Sequence, residues 1–596
     1  MSESFPITDY NTLRGLDLYT HQDRRLALSE LRRVIGLDTE TDSQGNLRLI
    51  ADSDGVSLDK ITPESVFSYL FSKKYQGSWN FFYNIKFDAE IILKLLGKEN
   101  LDNYKKSGFL KFEFDKFKIE YIPEKKLAIR KGHHSAVFFD IMQYFKESLA
   151  NAYLHNIGKL PDDYIKMKSK RSAFSEYFWK RSKKKIRYYC IQDCINTRKL
   201  AEHWIKLFHD SFLFYPARWI SPAYLSEKVL FWNNIHIPRF QESPLEVHEL
   251  ATNSYFGGRF EILKRGYIGQ AYLYDINSAY PFALTKVPNF TKGRWIRQKT
   301  IHPKALLGFF KISANIPDVK VLPPFPFRKN IMVCYPSGKF GDFVTLEELR
   351  AVKDTSWYEI LDSWQYLDEN PEYPYKEFIE SLYEKRLALK IAKNPQQLAI
   401  KTILNSIYGK TGEVVQNRIG NIFNPIIFSF ITGFARAKLY SFVIKNNIER
   451  DVVAFATDSV CTTKKVSVGD DKLGDFSLAN QSDDVYYLQN GFYRFDGKWK
   501  QRGLGSLGSR EIEHIDTIER DGKLLMKYKV TRPQRLKSAI LQNLHGNIGK
   551  FSVHEREFNL NADKKRQWLG KLESINDGKM NVSIPLSLNH LLKSNL

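Results

Sequence analysis

The amino-acid sequence predicts a multidomain α/β protein, and three observations lead there. Its 596 residues exceed what a single hydrophobic core usually organises. Its composition, 43% hydrophobic and 14% aromatic, is too apolar for a disordered chain. Its first part alternates strand-like and helix-like patterns, and a later stretch reads as paired helices.

Val34 to Leu37 in RRVIGLDTETD is a short apolar run ending in acidic residues, the pattern of a buried strand, and FDAEIILKLLG is helical. In CINTRKLAEHWIKLFHDSFLF, Leu200, Trp204, Leu207, Phe208 and Phe212 recur at helical spacing. YPARWISP then ends the pattern with two prolines, so a domain boundary is expected near Tyr215. YKEFIESLYEKRLALKIAK and QQLAIKTILNSIYG are helical patterns separated by Asn394-Pro395, as in an antiparallel helical hairpin.

A formal net charge of +23 implies a polyanionic partner, because clustered Lys and Arg release counterions from phosphate on binding. The runs KMKSKR (Lys166 to Arg171) and KRSKKKIR (Lys180 to Arg187) are candidates for backbone contacts, with solvated faces as the plain alternative. No apolar run approaches the roughly 20 residues that span a bilayer, and the opening residues lack a signal pattern. A soluble protein of the host cytoplasm, with no membrane partner, is therefore expected. Cys190, Cys194, Cys334 and Cys461 form no CxxC pair and read as reduced, buried thiols; Cys190 and Cys194, one helical turn apart, permit a metal pair as the lesser alternative.

Acidic residues carry the chemistry. Asp38 and Glu40 in LDTET stand two apart at a strand end, so both side chains lean to one face and can share divalent ions. YNIKFDAE adds Asp88, and YYCIQDC adds Asp193, one helical turn after Tyr189. Converging carboxylates repel unless cations neutralise them, and paired metal ions are the usual device for phosphodiester hydrolysis; Tyr189 is placed to orient the attacking water. Further on, Asp275 in YLYDINSAYP ends an apolar strand, and Lys401, Asn405 and Tyr408 in KTILNSIYGK share one helix face. Asp458 in FATDSV falls in a tight turn between β-prone runs, and Arg386 and Lys390 lie one turn apart on the preceding helix.

These motifs resemble those of family B DNA polymerases, most closely the protein-primed phage, plasmid and viral branch. DxE, NxxFD and YxxxD are similar to the three exonuclease motifs, and DINSAYP, KTILNSIYGK and ATDS to DxxSLYP, KxxxNSxYG and DTDS. The resemblance implies an RNase H-like (DnaQ-like) 3′→5′ exonuclease domain over 1–215. A right-hand polymerase would follow, with palm and helical fingers over 216–505 and a DNA-binding thumb over 506–596. It implies template-directed addition of deoxynucleotides to a primer 3′ end, with proofreading. Two Mg²⁺ ions per site, replaceable by Mn²⁺, would be held by Asp38, Glu40, Asp88 and Asp193, and by Asp275 and Asp458.

By the same resemblance Thr41, Asn84 and Phe87 would hold a frayed primer strand. Ser278, Tyr280, Arg386, Lys390, Lys401, Asn405 and Tyr408 would bind the nucleotide. The Tyr280 ring would exclude a 2′ hydroxyl. SYFGGRF is similar to the YxGG motif, which assigns DNA contacts to Tyr255, Gly257 and Gly258, and NGFY retains Tyr493 of a KxY motif. Primer-template DNA and deoxynucleoside triphosphates are the expected partners of a monomer, with a terminal protein as primer left open. Three positions depart from the family: Ala456 replaces the first Asp of DTDS, Gly491 replaces the KxY lysine, and only Lys410 to Asn424 stand where a long insertion is usual. Ala456 motivates the competing expectation, a DNA-processing 3′→5′ exonuclease whose polymerase half is impaired.

Overall fold

The computed structural model describes residues 28, 30–169, 176–317, 322–415, 418–469, 471–502, 504, 507, 511–512, 515–575 and 578–593. Of the basic run Lys166 to Arg171, Lys170 and Arg171 lie outside the described residues.

The first sheet is built around Val34–Thr41, whose residues are buried as far as Glu40, as expected of a strand covered on both faces. It pairs in parallel with Trp79–Phe82, which pairs in parallel with His134–Asp140. Leu47–Asp52 and Ser57–Leu58 extend one edge antiparallel; Lys126–Lys131, Phe117–Ile122 and Lys111–Phe114 extend the other. The helix Glu176–Phe212, broken at Ser182, lies across the central strand. Its approach depends on Gly36, where a Cβ would stand 2.1 Å from the Cys194 carbonyl oxygen. Cys190 and Cys194 are buried under Leu49 and Ala51, and all four cysteines are free.

Trp79 links this sheet to the next stretch of chain, its ring meeting Trp219 edge-on at 5.5 Å in a core that continues into the helices Pro222–Trp232 and Gln396–Thr411. A second large sheet runs in the order Lys498–Gln501, Phe492–Phe495, Phe476–Gln489, Lys264–Ile276, Ser459–Thr462, Val452–Thr457, Arg259–Ile262. Met580–Pro585 also pairs with Lys264–Ile276. A four-stranded sheet, residues 294–367, and the helical hairpin Lys376–Ile391 and Gln396–Thr411 are inserted between its strands.

Pro425–Lys445 corrects one expectation. This 21-residue helix is long and apolar enough to cross a membrane, and 83% of its apolar window is buried inside the fold. The charges of Arg436 and Lys438 mask it in the sequence, yet Arg436 is itself buried against Glu348, its Nε donating at 2.7 Å.

The C-terminal sheet Thr517–Arg520, Lys523–Pro533, Phe551–Asn559 sends its connection back to the first sheet. Leu536, Ala539, Ile540 and Ile548 join the core of Ile85–Lys94, the Leu536 amide donates to Glu90 at 3.1 Å, and His545 meets Asp102 at 2.9 Å. Gly549 lies so close to Ile91 that a Cβ would overlap its Cδ1.

Candidate active sites

The first site lies at the end of the central strand. Carboxylate oxygens of Asp38 and Glu40 and the Cys190 sulfur lie within 4.8 Å of one another, all buried. Asp88 and Asp193 approach from two helices and each engages a donor beside that group. Asp88 accepts from the Thr39 amide at 3.1 Å and the Thr39 hydroxyl at 2.6 Å, and Asp193 accepts from the Tyr164 hydroxyl. Tyr189, fully buried, stacks on Tyr164 at 5.2 Å. Buried carboxylates this close repel, and with the Cys190 sulfur beside them they form a group that could hold a metal ion.

Thr39, Cys190, Tyr164 and Asp140 complete the neighbourhood and were not singled out by motif. Asp140 ends the strand His134–Asp140 and accepts from the Asn84 amide at 3.1 Å and the Met142 amide at 2.9 Å. Burial pushes its carboxyl up to about 7. It thereby fixes the left-handed Asn84 (φ 68°) that starts the helix carrying Asp88. An acid closing an apolar strand is the same signature that singles out Asp38, and would have found it. Phe87 on that helix meets Phe551 of the C-terminal sheet at 5.9 Å, and Thr41, half-buried, ends the central strand.

The second site lies in the second large sheet. Asp275, near the end of Lys264–Ile276, pairs with Ser459, and the Ile276 amide donates to the Asp458 carbonyl at 3.0 Å, so both acids reach one cleft of about 680 Å³. Burial, then Asp458, pushes the Asp275 carboxyl up to about 7, with Lys401 and Lys500 opposing. Burial also raises Asp458. Arg386, Lys390, Lys401 and Asn405 enter from the helical hairpin, and Ser278 and Tyr280 from the chain after Asp275. Arg386 donates to the Ser278 hydroxyl at 3.1 Å, and burial lowers the pKa of Lys401. Tyr408 faces Tyr280 with ring centroids 4.5 Å apart.

The departures have structural settings. Thr457, left-handed at φ 70°, separates Ala456 from Asp458 and breaks the alternation that would set both side chains on one face. Gly258 fits against it, since a Cβ there would stand 2.8 Å from Thr457 Cγ2. Gly491 has φ 79° in the turn before Phe492–Phe495, a conformation that strains a lysine. A cation reaches Tyr493 from the next strand instead: Lys500 pairs with it, Nζ 5.7 Å from its ring centre. Among the described residues between Lys410 and Asn424, the strands are only the short pair Val414–Val415 and Arg418–Ile419.

Comparison with known proteins gives a consistent picture. Residues 73–467 match the family model described as DNA polymerase type B, organellar and viral. A DNA polymerase of Acidianus bottle-shaped virus (isolate Italy/Pozzuoli) is 25% identical over 441 residues, 68% of this chain. The matched region spans 64% of that relative. Phi29 DNA polymerase complexed with single-stranded DNA superposes with a TM-score of 0.59 at 15% identity, over 89% of this chain and 100% of the other. Its complex with primer-template DNA and incoming nucleotide substrates gives the same values. These likenesses establish a shared multidomain α/β fold.

Proposed function

Because the chain belongs to the organellar and viral type B DNA polymerases, we propose that it extends a primer 3′ end along a DNA template and trims mismatched ends by 3′→5′ hydrolysis. The observation that carries the reading is the cleft in which Asp275 and Asp458 face Arg386, Lys390 and Lys401. In extension the primer 3′ oxygen bonds to the α-phosphorus as the bond to pyrophosphate breaks. Divalent ions, Mg²⁺ or Mn²⁺, would activate the attacking oxygen and neutralise the leaving one. Asp275 and Asp458 would hold them; Lys401, Arg386 and Lys390 would hold the triphosphate, and Ser278, Asn405 and Tyr408 would orient it.

The exonuclease would use Asp38, Glu40, Asp88 and Asp193 as metal ligands, with Tyr189 and Tyr164 ordering the water and Asp193. Thr41, Asn84 and Phe87 would receive the single-stranded end, and Tyr255, Gly257, Gly258, Tyr493 and Lys500 the duplex. The exonuclease would occupy 1–215, palm and fingers 216–505, and the thumb 506–596. The chain would act as a monomer in the host cytoplasm, with protein priming as one mode of starting synthesis.

The test is a 5′-labelled primer on a longer template with Mg²⁺, with and without the four deoxynucleotides. Extension with nucleotides and shortening without them is the expected result. Shortening under both conditions would favour a second reading that Ala456 motivates, an exonuclease with an impaired polymerase half. Ala456→Asp is expected to change the extension rate or its Mg²⁺ dependence less than about tenfold, because an acid displaced from the ions tunes the site without building it. Titration of extension against Mg²⁺ and Mn²⁺ checks this; extension appearing only in the Ala456→Asp variant would remove Asp275 and Asp458 as a sufficient pair.

A further inference from the structure

Three tyrosines from separate stretches of chain form one line of contacts beside the polymerase cleft. Tyr280, on the short helix Ala279–Leu284, lines the cleft, and its ring packs on that of Tyr408 at 4.5 Å and 33°. Among the described residues its hydroxyl makes no hydrogen bond, so ring packing sets its torsion. Tyr408 is held further out: its hydroxyl lies 3.2 Å from the hydroxyl of Tyr255, 153 residues away in sequence.

Tyr255 sits in a rigid seat. Its ring meets Phe428 edge-on at 4.9 Å, and Arg328 donates to its carbonyl. Arg436 donates to the carbonyls of Ser254 at 3.4 Å and Gly257 at 2.6 Å, while gripping Glu348 at 2.7 and 3.0 Å. The loop is therefore pinned to the helix Pro425–Lys445 and, through Gly258 against Thr457, to the turn that carries Asp458.

We infer that Tyr255 is a positioning residue for sugar selection: its hydroxyl holds Tyr408, and Tyr408 holds the Tyr280 ring where a ribose 2′ hydroxyl would meet it. The inference rests on the polymerase reading above. Steric exclusion falls off steeply with distance, so a small release of the Tyr280 ring admits a ribonucleotide while changing little for a deoxynucleotide. A purely structural role for Tyr255 would affect both nucleotides alike. The ratio between them separates the two roles.

Two ratios, deoxynucleotide to matching ribonucleotide, test it. One compares catalytic efficiencies on a single primer-template. The other compares dissociation constants from enzyme bound to a dideoxy-terminated primer, which needs no chemistry. Tyr255→Phe is expected to lower both about fivefold, the shift that one net hydrogen bond allows. Tyr408→Phe should reach the same value, and the double variant should add nothing, since both break one bond. Tyr280→Ala should lower the ratios further. Unchanged ratios in Tyr255→Phe beside an effective Tyr280→Ala overturn the inference, as does an additive double variant. No extension by the natural chain, or no effect of Tyr280→Ala, removes the polymerase or the gate reading, and the inference with it.

Discussion

Asp458→Ala is expected to cut primer extension by about a thousandfold or more, the weight of several kcal/mol of lost charge stabilisation at the reacting phosphate. Asp458 and Asp275 share a cleft, and the Asp275 carboxyl is already pushed up to about 7 by burial and by Asp458. Without Asp458 that repulsion is gone and Asp275 ionises more readily, but a single carboxylate replaces the pair that would share the divalent ions. The acids of the first site stand on another sheet and the helices packed against it, so shortening of the same labelled primer without nucleotides should persist. Extension within tenfold of the natural rate would displace Asp458 from the ions.

The converse experiment has a comparable expected size. Asp38→Ala combined with Glu40→Ala should reduce primer shortening by about a thousandfold or more while extension continues, because it removes both carboxylates of the tight buried group. Both positions lie in a buried strand paired on both sides, and small side chains leave its hydrogen-bonded register intact. The gel that resolves extension from shortening gives both answers. Equal loss of the two activities would contradict two independent sites.

Local pattern makes much of this legible in the chain itself. An apolar run ending in acid marks the strands that carry Asp38 and Asp275, and helical spacing puts Lys401, Asn405 and Tyr408 on one face of a helix that the structure contains. Partners that approach from elsewhere leave no trace. Tyr164 reaches Asp193 from a separate helix, and the spacing of Cys190 pairs it with Cys194, not with Asp38 and Glu40. The Tyr255 to Tyr408 contact and the docking of Leu536 beside Glu90 bridge 153 and 446 residues, far beyond any window in which periodicity speaks. Arg436 misleads in the other direction, because a charge in a sequence looks exposed until Glu348 is placed beside it.

The docked connection of the C-terminal sheet ties the molecule together mechanically. One end of that last unit is clamped by Arg566 on Glu261, a buried pair at 2.7 Å. The other is glued to the helix Ile85–Lys94 through Leu536 and Ile540. The molecule is thus braced like a truss, with its first and last segments bearing on each other and both bearing on the middle. Shearing off the final brace would bare greasy surface on Ile91 and its neighbours, so a fragment cut to isolate the hydrolytic half would carry a wound far from its acids. Heat, too, must work against both attachments together, so a single coupled transition in calorimetry is the expected result, unlike beads on a string.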